Sequence, residues 1–135
     1  MSEDNRKALS KYRLERAYEC IKSAEALEHI EDYSTVANRA YYAMFHAMRA
    51  VMALDGEDRK KHSGVVAYFQ EHYIKSEIFD KDFSYAIKNA FLVRQESDYE
   101  DFYVVSKSEA IEQLENAKKF IAAVDNTYHC SDSFS

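Results

Sequence analysis

The sequence predicts an all-α fold, built as an up-and-down helical bundle. Three observations carry this. The 135 residues include no Pro and only two Gly, Gly56 and Gly64, so the punctuation that cuts a chain into short strands is missing. Apolar residues recur at intervals of three and four rather than two. The gaps between the periodic segments are short, which makes successive helices antiparallel neighbours. The length suits one domain with its own core.

The first helix is expected from about Asp4 to Ile30, burying Leu14, Ala17, Ile21 and Ala24, with Cys20 and Leu27 beside them. The second begins near Ser34 and ends at Leu54-Asp55-Gly56, where glycine suits a left-handed C-terminal residue. It carries three stripes. Val36, Ala40, Ala43, Ala47, Ala50 and Leu54 are small and let another helix come close. Tyr41, Phe45, Met48 and Met52 are bulky and apolar; Arg39, Tyr42, His46 and Arg49 are polar and aromatic. A helix buried on two of three sides lies centrally, and its polar stripe faces a cleft, a partner or water.

A charged loop, Glu57 to Lys61, precedes a third helix that opens at His62-Ser63, with Ser63 as its expected N-cap and Val66, Phe69 and Tyr73 buried. The fourth covers about Lys81 to Gln95, with Phe83, Ile87, Ala90 and Arg94 on one stripe, and a loop is expected from Glu96 to Val105. Ser106-Lys107-Ser108-Glu109 is a capping box that opens the fifth helix, whose stripe is Ala110, Leu114, Ala117, Ile121 and Val124. The domain is expected over residues 4–126, with 127–135 a flexible tail.

Composition excludes several classes. A net charge of −6 argues against a general, charge-driven nucleic-acid binder but leaves room for a local basic pocket. Cys20 and Cys130 form no close pair and have no metal-ligand spacing around them, which fits a reducing cytosol. The polar N-terminus lacks a signal-peptide core, and no apolar run approaches membrane-spanning length. A cytoplasmic location is therefore expected. No His has Glu three positions before it, as a di-iron bundle requires, and no phosphate loop or nucleophile elbow occurs. No metal and no cofactor are expected. Eleven Tyr and eight Phe make the core unusually aromatic, and some of these Tyr are expected in contacts between chains.

The candidate site residues are Arg94 and the basic loop. Arg94 continues an apolar stripe, where an Arg needs a carboxylate, a carbonyl cluster or a phosphate. Asp98, one turn later, supplies the carboxylate in a purely structural reading; in a functional one Arg94 holds a phosphate beside Tyr99. His62, in a basic run with Arg59, Lys60 and Lys61, could meet an anion at a helix start. His46 shares a face with Tyr42 and Arg49 and reads as structural. Strict up-and-down order sets the end of the second helix, the start of the third and the end of the fourth at one pole. Arg49, Arg59, Lys60, Lys61, His62, Arg94, Asp98 and Tyr99 then converge, with Arg39 about 22 Å away at the other pole.

Three segments in order, Asn38-Arg39-Ala40-Tyr41-Tyr42-Ala43-Met44-Phe45-His46-Ala47, Lys61-His62-Ser63-Gly64-Val65 and Arg94-x-x-Ser97-Asp98-Tyr99, give the chain a resemblance to the HEPN domain. It is most similar to the small single-domain branch known as UPF0332, over about residues 10 to 125. The resemblance implies a four-helix up-and-down bundle with one additional helix, usually a homodimer. It also implies a toxin-like role beside a minimal nucleotidyltransferase that neutralises it, and in many members metal-independent RNA cleavage. In those, an Arg and a His separated by four to six residues share the dimer cleft. Here Arg94 matches, while the positions for the His hold Tyr99, Glu100 and Asp101. An unperturbed Tyr, titrating near ~10, is a poor base at neutral pH. The resemblance further implies adenylylation of a Tyr near this motif, with Tyr99 and Tyr103 as candidates.

The sequence thus points to a homodimeric partner of a nucleotidyltransferase that binds RNA or nucleotide phosphate at an Arg-centred pole. Two alternatives stand beside it. One is an active ribonuclease using His62 or His46 in place of the missing His. The other is a structural dimer in which an Arg94–Asp98 pair holds the loop.

Overall fold

A computed structural model describes residues 2–99 and 103–129. It contains five α-helices: α1 Glu3–His29, α2 Tyr33–Leu54, α3 His62–Phe69, α4 Asp82–Tyr99 and α5 Lys107–Tyr128. A π-helical turn, Gln70–Ile74, extends α3. No strand occurs among the described residues.

Local chemistry accounts for most helix ends. The Ser2 hydroxyl accepts the Asn5 N–H at 3.1 Å, and Asp32 accepts from Thr35 at 3.4 Å. At α5 the Ser106 hydroxyl accepts the Glu109 N–H at 3.1 Å and donates to the Glu109 carboxylate at 3.2 Å. Gly56, at φ +72°, closes α2: its N–H bonds the Ala53 carbonyl and that of Glu57 bonds Met52. A side chain at Gly56 would be strained there and would press on the Arg6 guanidinium at 3.2 Å.

Helices α1, α2, α4 and α5 form the bundle, and α2 packs against every other helix. The small stripe of α2 explains its position: Ala40, Ala43, Ala47 and Ala50 are all fully buried, as are Ala17 and Ala24 of α1. Without bulk at these positions, the two backbones approach closely. Contacts Ser10–His129, Tyr18–Asp125 and Glu25–Lys118 run in opposite order along α1 and α5, so these helices are antiparallel. Phe69, Phe79, Phe83 and Phe120 join in one aromatic cluster where α3, α4 and α5 meet.

Four expectations require correction. The first concerns topology. His62 at the start of α3 lies beside Tyr41 and Phe45, whereas Tyr73 beyond its end bonds Asp55. α3 therefore runs parallel to α2, because residues 55–61 double back along α2 before it starts. The direction of α4 is reversed as a result, and Ser97 near its end meets Ser34 near the start of α2 at 3.1 Å. Arg94, Asp98 and Tyr99 thus do not share a pole with the end of α2.

The second correction is the start of α3. His62 is already helical, with Lys61 in the N-cap position and no side-chain cap. The buried valine is accordingly Val65 rather than Val66. Bonding to Tyr41 and stacking on Phe45 draw His62 into the first turn. The third is the end of α4, which continues through Ser97 and Asp98 to Tyr99; the Arg94–Asp98 pair, one turn apart, supports the extra turn. Glu100 and Asp101 lie outside the described residues. The fourth is the tail. α5 continues to Tyr128, which packs on Phe79, and His129 bonds buried Ser10 at 3.0 Å. The rest of the expected tail, residues 130–135, lies outside the described residues.

Candidate functional site

Two adjoining groups of side chains surround His62. The first is an aromatic and cationic stack where α3 and α4 meet α2. The Tyr41 hydroxyl and His62 Nδ1 are 2.7 Å apart, and the His62 ring lies flat on Phe45, with centroids 4.2 Å apart. Tyr42 meets His62 edge-on at 5.6 Å. The Arg94 guanidinium lies 5.3 Å from the Tyr41 ring and 5.6 Å from Tyr42, and donates to the Tyr42 hydroxyl at 3.3 Å. Arg94 Nε approaches the Asp98 carboxylate at 3.2 Å, close enough for charge attraction though not aligned as a hydrogen bond. Arg39, held by Asn38 at 2.8 Å, lies 5.1 Å from the same Tyr42 ring. Arg39 and Arg94, expected at opposite poles, therefore share one aromatic ring.

The second group is the returning loop. Asp58 accepts from Arg49 through both oxygens, at 3.1 and 2.9 Å, and from Arg13 at 3.4 Å. Burial alone would raise the Asp58 carboxyl, but the Arg49 hydrogen bond and the other contacts outweigh it and hold it below the ordinary carboxylate value. Arg13 also donates to the Arg49 carbonyl at 3.1 Å, so α1, α2 and the loop meet here. Arg59 lies 4.5 Å above the Tyr68 ring and pairs with Glu57 at 3.2 Å. Between loop and α2 opens a cavity of about 470 Å³, lined by Phe45, Arg49, Asp58, Arg59, Lys60 and His62. Lys61 is exposed and does not line it.

Burial, and then neighbouring positive charge, favours the neutral form of His62 and His46. Burial lowers the pKa of His62, and the positive charges of Arg94 and Arg49 lower it further. His46, tilted against Tyr42, is pushed down to about 4 by burial and then by Arg16, Arg49, Arg39 and Arg13. Burial holds the Tyr41 hydroxyl well above the ordinary phenol value, so it stays protonated. The direction of the Tyr41–His62 bond sets the role of the opposite nitrogen. If Tyr41 donates, His62 Nε2 carries the proton and is a donor; if His62 donates, Nε2 is a base.

The candidates therefore divide. Arg94 and His62 converge on Tyr41, and His62, Arg59 and Lys60 converge on the cavity. Arg94 itself does not line that cavity. Tyr99 is 78% exposed, whereas Tyr103 is half-buried, donates to Glu109 at 3.0 Å and is pushed up to about 12 by burial and that bond. Sequence reading missed Tyr41, Phe45, Asp58 and Arg13 as site residues. Tyr41 and Phe45 belong to a stripe that reads as core, and Asp58 reads as one charge among five. A loop carboxylate whose two partners lie on earlier helices leaves no local signal. Among the described residues, no group of three His, Cys, Asp or Glu side chains could hold a metal ion. No described helix is long and apolar enough to cross a membrane.

The sequence model of the HEPN domain matches residues 10–127. An Archaeoglobus fulgidus protein named "UPF0332 protein" is 33% identical over 114 residues, covering 84% of this chain and 90% of that protein. A Thermotoga maritima protein of the same name is 26% identical, covering 90% and 92%. A Methanocaldococcus jannaschii protein named "Putative toxin MJ0142" is 32% identical over 97 residues, covering 72% of this chain and 66% of that relative.

Proposed function

The chain belongs to the HEPN domain family, and from that premise we propose that it is the toxin-like member of a two-component system. Its partner is a minimal nucleotidyltransferase, it acts as a homodimer in the cytoplasm, and it binds phosphate groups of RNA or a nucleotide. The names of two relatives as toxins support the toxin-like role. The ligand reading rests on one observation: Phe45, Arg49, Asp58, Arg59, Lys60 and His62 line one cavity, and Arg94 is joined to the same His62 through Tyr41. An aromatic side chain in the lining suits a base, and the three cations beside it suit phosphates. On an otherwise acidic protein this attraction is local, so binding should weaken with salt.

The test uses the purified protein with ATP or a short single-stranded RNA, titrated at low and high salt. Binding that weakens with salt and is lost in Arg94→Ala or in Arg59→Ala/Lys60→Ala supports the reading. Tight binding that survives all three changes places the site elsewhere. Incubation with a minimal nucleotidyltransferase and ATP, read by intact mass, tests the partnership. Tyr99 is the expected acceptor, because its hydroxyl is accessible while that of Tyr103 is engaged by Glu109.

A second reading, metal-independent RNA cleavage, is favoured by a specific feature. His62 is oriented through Nδ1, and Nε2 has no hydrogen-bond partner among the described residues. A neutral imidazole so held could move the proton of a 2′-hydroxyl while Arg94 meets the phosphate. Cleavage in chelator that is abolished by both His62→Ala and Arg94→Ala would establish it, and intact RNA would exclude it.

A further inference from the structure

Four N–H donors converge on the Asp58 carboxylate. Oδ1 accepts from the Arg49 Nε at 3.1 Å and from the Arg59 backbone N–H at 2.9 Å. Oδ2 accepts from the other arm of the Arg49 fork at 2.9 Å and from Arg13 at 3.4 Å. Two guanidinium groups and a backbone N–H around one pair of oxygens are the donors by which proteins hold phosphate. The two arginines are also anchored by contacts that do not involve Asp58. Arg13, half-buried, donates to the Arg49 carbonyl at 3.1 Å, and the Arg49 guanidinium lies 5.7 Å from the centre of the Phe45 ring.

Asp58 is the movable member of the group. Its side chain is 52% exposed and is carried by the loop between α2 and α3. It lines the same cavity as Arg49, Arg59, Lys60 and His62. Turning this one side chain into solvent would open both guanidinium groups toward the cavity without moving a helix. The pair also has charge to spare, because one carboxylate faces two guanidinium groups that repel each other. A phosphodiester carries one charge, as Asp58 does. It would exchange like for like and lose its freedom on binding, whereas Asp58 is already in place. A phosphate monoester brings about −1.5 to −2 at neutral pH and three terminal oxygens, which is what the donors around Asp58 leave unmatched.

We propose that Arg13 and Arg49 form a phosphate subsite in which Asp58 acts as a built-in competitor, displaced by a terminal phosphate monoester. This rests on the phosphate-binding reading above and narrows its ligand to a nucleotide or a strand end that carries such a group. The internal phosphates of a strand leave Asp58 where it is.

Fluorescence anisotropy tests this with two short single-stranded RNAs, identical except for a 5′-phosphate or a 5′-hydroxyl. It is run at about pH 8, above the second phosphate pKa of about 6. The unaltered protein should bind the phosphorylated RNA about tenfold more tightly, the effect of one hydrogen bond to a charged group. Asp58→Asn keeps the shape and removes the competing charge, so it should tighten the phosphorylated RNA about tenfold further. Adding Arg13→Gln should cancel that gain; Arg13→Lys, which keeps the charge without the fork, replaces it if the protein fails to fold. A purely structural Asp58 gives the opposite result, weaker binding in Asp58→Asn as the loop loosens. Equal affinity of the unaltered protein for the two RNAs, unchanged or weaker binding in Asp58→Asn, or a gain that survives the Arg13 change would overturn the proposal. Displacement of the phosphorylated RNA by ATP supports a free nucleotide as the source of the group, and displacement by phosphorylated RNA alone supports a strand end. RNA bound without regard to its 5′ group sinks the subsite and leaves the phosphate-binding reading standing, whereas no binding of ATP or of either RNA sinks both.

Discussion

Tyr41 and His62 are 21 positions apart, yet the hydroxyl of one lies 2.7 Å from the ring nitrogen of the other. The contact joins the buried heart of α2 to the first residue of α3. It exists because the charged loop returns along α2 instead of continuing past its end. Tyr41→Phe removes only the hydroxyl and should cost about 1 kcal/mol, the usual net value of one hydrogen bond. Urea denaturation measures it, and an unchanged midpoint would mean the bond adds nothing to stability.

Ala43 lies fully buried on the small stripe of α2. Ala43→Leu adds bulk where two backbones approach closely and should cost about 1–3 kcal/mol. A neutral result in thermal melts would mean the site has room that the packing does not suggest.

His46 makes stability depend on pH. Its pKa falls from the ordinary 6.5 to about 4 on folding, so between these values the unfolded chain binds the extra proton. Its contribution is complete above pH 6.5 and is lost as pH falls toward about 4, amounting to as much as ~3 kcal/mol. His46→Gln should flatten stability across that window. An unaltered pH profile would show that other groups produce it.

Asp58 ties the returning loop to Arg49 and Arg13. Asp58→Ala should lower stability by about 1 kcal/mol, since its pairs with Arg49 and Arg13 are solvent-exposed. Trypsin should then cut sooner at Arg59, Lys60 or Lys61. Equal cleavage rates in the two proteins would show that the loop is held by something else.

Arg94 contacts Tyr41, Tyr42 and Asp98 together. If it also meets phosphate, Arg94→Ala should weaken ATP or RNA binding about 10- to 100-fold, as loss of a hydrogen bond to a charged group does. Arg94→Lys should recover part of this, because the charge returns without the planar fork. Isothermal titration distinguishes the three proteins, and equal affinities would remove Arg94 from the site.

The periodicity of the sequence by itself determined the helices and most of what they bury. Leu14, Ala17, Ile21 and Ala24, and Ala110 to Val124 at heptad-like spacing, are buried as that pattern requires, because burial on a regular helix depends only on residue spacing. The capping box at Ser106 and the left-handed Gly56 are equally local, each formed by residues within a few positions. The direction of α3, and hence the company Arg94 keeps, was decided by tertiary structure alone. The parity of an up-and-down chain holds only if every connection turns back at its pole. The loop after Gly56 instead runs back along α2, drawn by Asp58 to Arg49 and Arg13 and by His62 to Tyr41. Those partners come from different helices, so their attraction has no signature in the spacing of any one segment. Of the cavity around His62 the sequence named Arg49, Arg59, Lys60 and His62; Tyr41, Phe45, Asp58 and Arg13 were illegible for the same reason, since they join it only after α1, α2 and the loop have packed.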